Sequence, residues 1–183
     1  VYTAVEFLRQ AGEKEAFDLG GDVIVVGGGN VAIDAARMSA RCSRGKVSML
    51  CLESRDEMPA SLEEILEATQ EKISIFNGWG PKEILTENGR AAGVIFKKCV
   101  RVYDENHRFA PVYNEEETMT VSCDSVIFSV GQGIEWGNLI QGTRVELRPN
   151  GGALADRLTY QTAEPDIFVG GDVYTGPKFA IDA

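Results

Sequence analysis

The sequence has little positive charge and no long apolar run. Lysine and arginine number 18 against 28 acidic residues, for a net charge of −10. Without a basic block, the counterion release that drives nucleic-acid binding has no obvious source, so we expect no nucleic-acid partner. No apolar stretch approaches the roughly 18 residues of a membrane span, and the amino terminus lacks a signal-peptide pattern. We therefore expect a soluble, cytoplasmic protein with no membrane partner.

Residues that usually bind metals or act as nucleophiles are also scarce. None of the four cysteines is arranged as C-x-x-C, which disfavours a zinc site and a redox disulfide, so we interpret them as packing thiols. The single histidine, His107, lies in a polar run without a partner at metal-ligand spacing. We therefore predict no metal site and no catalytic side chain of the Ser-His-Asp or Cys-His type. The cysteines are Cys42, Cys51, Cys99 and Cys123.

Glycine, in contrast, is abundant, with 20 of 183 residues. This is about 11% against an average of about 7%. The glycines fall mostly at the ends of apolar runs, which indicates tight turns and not a low-complexity sequence.

The first half of the chain has the pattern of a parallel α/β unit. Thr3 and Glu6 have capping-box spacing for a first helix that ends at Gly12. The apolar run 22–26 predicts a strand buried on both faces, and the glycine turn 27–29 leads from it into a helix. A second strand over 47–52 completes a strand-helix-strand unit.

A second capping box, Ser61 with Glu64, predicts the next helix, and a third strand is expected over 73–76. From 82 to 121, alternating segments with polar turns such as Asn88-Gly89 predict antiparallel hairpins. The polar stretch 103–117 is expected to be a solvated hairpin loop. The fold class is therefore α/β, a Rossmann-like parallel sheet with an antiparallel β insert.

Two further apolar runs also end in glycines. The run 125–130 predicts a buried strand that stops at Gly131-Gln132-Gly133, and such strand ends are where open α/β sheets bind ligands. The run 166–169 stops at Gly170-Gly171-Asp172, and Ala183 falls within an expected helix, so the chain looks cut.

The glycine turn fits the dinucleotide fingerprint as Gly27-x-Gly29-x-x-Ala32. Gly27 permits the tight turn, Gly29 allows close approach of a pyrophosphate, and Ala32 allows close packing of helix and strand. The helix then offers free amides and a partial positive charge to the anion. The residues predicted to hold the pyrophosphate are Gly27, Gly28, Gly29, Asn30 and Val31.

The end of the second strand bears on which dinucleotide binds. Glu53 lies where a carboxylate accepts hydrogen bonds from the adenosine ribose, which favours NADH. Ser54 and Arg55 follow at once, and a guanidinium there could pair with the 2′-phosphate of NADPH. Both cofactors stay open, and so does the interpretation that Glu53 and Arg55 only cap a solvated strand end.

With these motifs in place, the chain resembles the small (beta) subunit of glutamate synthase and its relatives in the pyridine nucleotide-disulfide oxidoreductase superfamily. The resemblance is carried by the segment 25–34, the loop 55–61, and the segment 166–172 with Gly176-Pro177 after it. It implies a nicotinamide-binding domain over residues 1–142 and a truncated returning segment of a flavin domain over 143–183.

The resemblance also implies roles and partners. Asp172 would contact the ribityl and phosphate region of FAD in the full-length protein, and Gly131 and Gln132 would lie beside the nicotinamide nucleotide. Hydride would pass from NAD(P)H to FAD and on to a large subunit or an iron-sulfur partner. Alone, this piece would be catalytically incomplete. Two alternatives remain at this point, a non-catalytic Rossmann module that senses nucleotide or forms a subunit contact, and an S-adenosylmethionine-dependent methyltransferase.

Overall fold

The structure, a computed structural model, describes residues 1–14, 16–131, 133–176, 178 and 181. The chain forms two compact units, Val1–Val130 and Gly131–Ala183. The domain limits that the resemblance implies, 1–142 and 143–183, stay a prediction. The elements are β1 (Tyr2–Thr3), α1 (Ala4–Glu13), β2 (Val23–Val26), α2 (Asn30–Cys42), β3 (Val47–Cys51), a 3-10 turn (Arg55–Glu57), α3 (Leu62–Gln70), β4 (Ser74–Asn77), β5 (Trp79–Glu87), β6 (Arg90–Tyr103), β7 (Phe109–Ser122), β8 (Ser125–Phe128) and α4 (Asp172–Thr175).

The first unit is built on a parallel sheet with strand order β1-β8-β2-β3-β4. The central strand β2 pairs in parallel with β3 on one side and with β8 on the other. Because the chain runs from β2 to β3 in one direction and returns as β8 on the other side, the carboxyl end of β2 is a switch point of the sheet. Open α/β sheets bind their ligands at such a point. The predicted α/β fold with an antiparallel insert is confirmed.

All four residues of β2 are buried because the sheet is covered on both faces. Val23 and Val25 pack in a cluster with α1, α2 and α3, and Ile24 and Val26 pack in a second cluster with Phe96 and its neighbours on the antiparallel sheet. Alternate side chains of β2 thus contribute to two hydrophobic cores, one on each face of the parallel sheet. This explains why the run is uninterrupted in the sequence.

The antiparallel sheet has the order β5-β6-β7. The predicted hairpin turn joins β5 to β6, and its residues Asn88 and Gly89 both have positive φ. The prediction of a loop over 103–117 is wrong in extent. The connection spans residues 104–108, and β7 already begins at Phe109. The acidic run, residues 115–117, lies within this strand where its pairing with β6 shifts register, and all three residues are exposed. Lys97 Nζ pairs with Glu115 at 2.6 Å and offsets part of the charge.

The capping residues in the sequence mostly predict where the helices begin. Thr3 and Glu6 make both hydrogen bonds of the predicted capping box, and α1 ends at Glu13, one residue beyond Gly12. At α3 only half of the predicted box forms, with the Glu64 amide donating to Ser61 Oγ at 3.3 Å. The Ser61 amide donates instead to Asn30 Oδ1 at 2.9 Å, so it is not available to Glu64.

The second unit contains little regular structure in its described residues. Single bridges pair Leu147 with Ala153 and Gln161 with Phe168, so the apolar run 166–169 forms one bridge and no extended strand. The short helix α4 follows Gly171, whose φ of 62° and ψ of −151° favour glycine. The helix expected around Ala183 falls on Asp182 and Ala183, outside the described residues.

Candidate dinucleotide site

Gly27 lies between the end of β3 and the residue that follows β8, and this position requires glycine. Its φ is 141°, and its amide donates to the Leu50 carbonyl at 2.9 Å. A Cβ built on Gly27 would collide with the carbonyl oxygen of Ser129, just beyond β8. The tight turn expected from the sequence is therefore also the place where the chain after β8 leaves no room for a side chain.

The next two glycines have different surroundings. A Cβ on Gly28 would lie 2.7 Å from Glu53 Oε2 and 3.1 Å from Cys51 Cβ, so this position packs against the end of β3. Gly29 has φ −93° and ψ 175°, and a Cβ there would meet no atom within 4 Å. The turn thus presents open space at the position where the fingerprint expects a pyrophosphate.

Helix α2 begins beside that space. Gly29 is its N-cap, and no side chain of the described residues caps it. The Gly29 carbonyl accepts from the amides of Ala32 and Ile33, which leaves the amides of Asn30 and Val31 as the first donors of the helix. Ala32 is fully buried against the sheet, as the fingerprint requires. The helix end can therefore offer two amides and its dipole to an anion.

A loop that the sequence marked only as part of the resemblance holds this turn in place. The Ala60 amide donates to the Gly28 carbonyl at 3.0 Å, and the Ser61 amide donates to Asn30 Oδ1 at 2.9 Å. Within this loop, Met58 and Ala60 are buried. Sequence reasoning missed this clamp, since nothing local indicates that 58–61 returns to the first turn.

Glu53, Ser54 and Arg55 follow β3 as predicted. The Glu53 carbonyl accepts from Asn77 Nδ2 at 3.1 Å and from the Gly78 amide at 3.2 Å, and its carboxylate lies beside Gly28. Ser54 Oγ donates to Glu57 Oε2 at 2.6 Å, in a capping box that the sequence analysis did not identify. The structure therefore brings the acid of the second strand to the glycine turn.

Arg55 is exposed and forms no ion pair with a described residue. It lines an open groove of 300 Å³ together with Lys98 and Arg101 of β6. These two residues are not among the predicted site residues. The only signal for them was the run of basic residues at 97, 98 and 101 in a hairpin.

The other predicted site residues belong to the second unit. Gly131 is exposed and has φ 86°, and Asp172 is exposed at the start of α4. Gln132 lies outside the described residues. Their roles beside the nicotinamide and the flavin stay predictions.

Two buried thiols of the first unit have raised pKa values. Burial raises the pKa of Cys51 to about 12, and burial also raises the pKa of Cys123 to about 11. Since the thiolate is the reactive form, both side chains act as packing groups at neutral pH. Among the described residues, no cluster of three or more His, Cys, Asp or Glu side chains could hold a metal ion. No described helix combines the length and the hydropathy needed to cross a bilayer.

Comparison with known proteins agrees with this geometry. The family model "Pyridine nucleotide-disulphide oxidoreductase" matches residues 1–183. The chain belongs to this family. That membership removes the methyltransferase alternative and confirms the superfamily part of the resemblance, whereas the likeness to glutamate synthase in particular is not tested by it.

Two relatives and one solved structure illustrate the likeness. It is 32% identical over 98% of its length to the NADP(+)-dependent formate dehydrogenase subunit beta of Moorella thermoacetica, and 34% identical over 70% to the NADPH-Fe(3+) oxidoreductase subunit beta of Geobacter sulfurreducens. It spans 25% and 19% of those proteins. Mycobacterium tuberculosis FprA in complex with NADPH has the same fold, with a TM-score of 0.73 and 16% identity over 98% of this chain and 54% of that one.

Proposed function

We propose that this chain is the NAD(P)H-binding part of a cytoplasmic FAD-dependent oxidoreductase of the glutamate synthase beta-subunit type. In the full-length protein, hydride would pass from NAD(P)H to FAD and electrons would pass on to a partner, a large subunit or an iron-sulfur protein. The observation that carries the proposal is the open glycine turn at the switch point of the sheet, with Glu53 beside it.

The residues of the turn fit a dinucleotide pyrophosphate. Gly29 leaves free the space that a side chain would fill, and the amides of Asn30 and Val31 stand at the start of α2. Asn77 and Gly78 hold the main-chain carbonyl of Glu53, and its carboxylate lies beside Gly28, where it can accept from ribose hydroxyls. The protein's contribution is therefore to bind and orient the dinucleotide.

We assign FAD to the full-length protein on the family likeness and on Asp172. When both are bound, NAD(P)H supplies the hydride and FAD accepts it. The protein has no proton to move in this step, which fits a site built from backbone amides and one carboxylate. Two relatives whose names include NADP(+) or NADPH and "subunit beta" support a nicotinamide dinucleotide and a subunit partner.

The experiment is a thermal-shift measurement on the 183-residue chain with NADH, NADPH, FAD and S-adenosylmethionine. A ligand at a hundred times its Kd stabilises the folded state by about 2.7 kcal/mol, which is about 5–10 °C for a chain of this size. NADH or NADPH is expected to give this shift, and S-adenosylmethionine none. A chain that responds to neither dinucleotide would overturn the proposal.

A further inference from the structure

Three asparagines in this chain are followed directly by glycine, and the fold holds them in different ways. The pairs are Asn77-Gly78, Asn88-Gly89 and Asn150-Gly151. In such a pair the glycine nitrogen can attack the asparagine side chain, because glycine has no Cβ to hinder the rotation that brings the two together. Whether a pair reacts in the folded protein depends on whether its two reacting groups are free to meet.

Asn77-Gly78 is restrained at both reacting groups. The Gly78 amide donates to the Glu53 carbonyl at 3.2 Å. Asn77 Nδ2 donates to the same carbonyl at 3.1 Å and to Cys51 Sγ at 3.2 Å. The attacking nitrogen and the amide that would leave are therefore both held, at the point where β4 ends.

Asn150-Gly151 is restrained by a comparable set of hydrogen bonds. The Gly151 amide donates to the Arg148 carbonyl at 2.9 Å, and Asn150 Oδ1 accepts from the Gly152 amide at 3.1 Å. The Gly151 carbonyl also accepts from Trp136 Nε1 at 2.8 Å. The first two of these bonds must break before the Gly151 nitrogen can reach the side chain of Asn150.

Asn88-Gly89 lacks such restraints. Both residues are exposed, and a Cβ on Gly89 would meet no atom within 4 Å. Neither the Gly89 amide nor the Asn88 side chain makes a hydrogen bond with a described residue. The pair is the two-residue turn between β5 and β6, and an exposed turn of this kind opens locally at little cost. Asn88 also lines an open groove of 540 Å³, so water reaches its side chain.

We propose that Asn88 is a site of spontaneous modification, through a cyclic imide formed with Gly89. The Gly89 nitrogen forms a bond to Asn88 Cγ, the Cγ–Nδ2 bond breaks, and ammonia leaves with the proton of that nitrogen. Water then opens the imide. Cleavage of the bond from nitrogen to Cγ gives aspartate, whereas cleavage of the bond from nitrogen to the main-chain carbonyl carbon gives isoaspartate.

The modification changes the hairpin in charge and in length. It adds a carboxylate to a groove whose lining already includes Asp22, Glu87 and Asp124. Isoaspartate also adds a carbon to the main chain of a two-residue turn, and this turn sets the register of Glu87 with Arg90. We therefore expect the isoaspartate form to lose strand pairing next to the turn.

The modified turn lies away from the dinucleotide site. Asp22 and Asp124 precede β2 and β8, so the groove is at the amino ends of these strands, whereas the glycine turn 27–29 follows the carboxyl end of β2. The inference is thus independent of the proposed function, and dinucleotide binding is not expected to change with the modification.

The test compares the folded and the denatured 183-residue chain during incubation at mildly alkaline pH. Peptide mapping by mass spectrometry follows the conversion of each asparagine, with heavy-oxygen water to mark the new carboxylates. In denaturant the three pairs are expected to convert at similar rates, because the dipeptide is the same. In the folded chain Asn88 should convert at least about tenfold faster than Asn77 and Asn150, since at each of these two hydrogen bonds must open first.

Two variants complete the design. Asn88→Gln keeps an amide side chain but has to close a larger, less favourable ring, so it is expected to abolish the acidic form that the native chain accumulates on ion exchange. Asn150→Gln is the matched control and should leave that form unchanged. Equal rates at the three pairs of the folded chain, or folding that slows Asn88 as much as the other two, would overturn the inference. Unchanged accumulation of the acidic form in Asn88→Gln would overturn it as well.

Discussion

Replacing Gly29 with leucine is expected to remove nucleotide binding while leaving the fold intact. The backbone at Gly29, with φ −93° and ψ 175°, is open to any residue, and a Cβ there meets no atom within 4 Å. The cost to stability is therefore limited to the weaker N-cap, about 1 kcal/mol or less. The leucine would instead fill the space in front of the first amides of α2. Loss of two hydrogen bonds to a charged pyrophosphate amounts to about 3 kcal/mol, roughly a hundredfold in Kd.

Thermal unfolding with NADPH at a hundred times the native Kd makes this measurable. The native chain gains about 2.7 kcal/mol, or about 5–10 °C, whereas a variant that binds a hundredfold more weakly gains only about 0.4 kcal/mol, or about 1 °C. Without ligand, the two midpoints are expected to agree within about 4 °C. A Gly29→Leu protein that keeps the native ligand shift would refute the site. A collapse of its unligated midpoint would refute the account of Gly29 as open space.

Three further predictions test other parts of the unit. Gly27→Ala should lower the free energy of unfolding by about 2–4 kcal/mol without ligand, because its Cβ collides with the Ser129 carbonyl and φ is 141°; a denaturant titration with an unchanged midpoint would contradict this. Arg55→Ala should weaken NADPH more than NADH in a titration, and equal losses would show that Arg55 does not read the 2′-phosphate. The hydrogen bonds from Arg41 and Arg37 lower the pKa of Glu71, so their stabilisation is present above the ordinary glutamate pKa and is lost as pH falls through the lowered value. Glu71→Gln should flatten the acid side of the stability profile measured by urea unfolding, and an unaltered profile would exclude this role.

Much of the site could be predicted because its signals are local. The strand 23–26, the glycine turn and the helix after it are contiguous, so apolar pattern and turn chemistry were sufficient to place them. Glu53 was found because its distance along the chain from the fingerprint is set by one strand-helix-strand unit. The predicted loop over 103–117 failed because polarity and charge indicate solvent exposure, and an exposed face of a strand satisfies that equally well.

The contributions that act across the chain were not predictable. The clamp of residues 60 and 61 on the glycine turn, and the approach of Lys98 to the Arg55 segment, are set by hydrogen bonds between residues 21 to 32 positions apart. No local pattern encodes such pairings. The half-formed capping box at Ser61 shows the effect directly, since its amide is taken by Asn30 of another helix.

By itself, the sequence determined the α/β class, the dinucleotide fingerprint and the acid that follows the second strand, because each depends on the conformational preferences of neighbouring residues. The tertiary structure decided the role of each glycine in the turn 27–29. Gly27 is needed where β2 meets β8, Gly28 where the turn meets Glu53, and only Gly29 faces open space. It also brought β6 beside the segment that follows β3. Three adjacent residues of one type have identical intrinsic preferences, so only their neighbours in space can give them different roles.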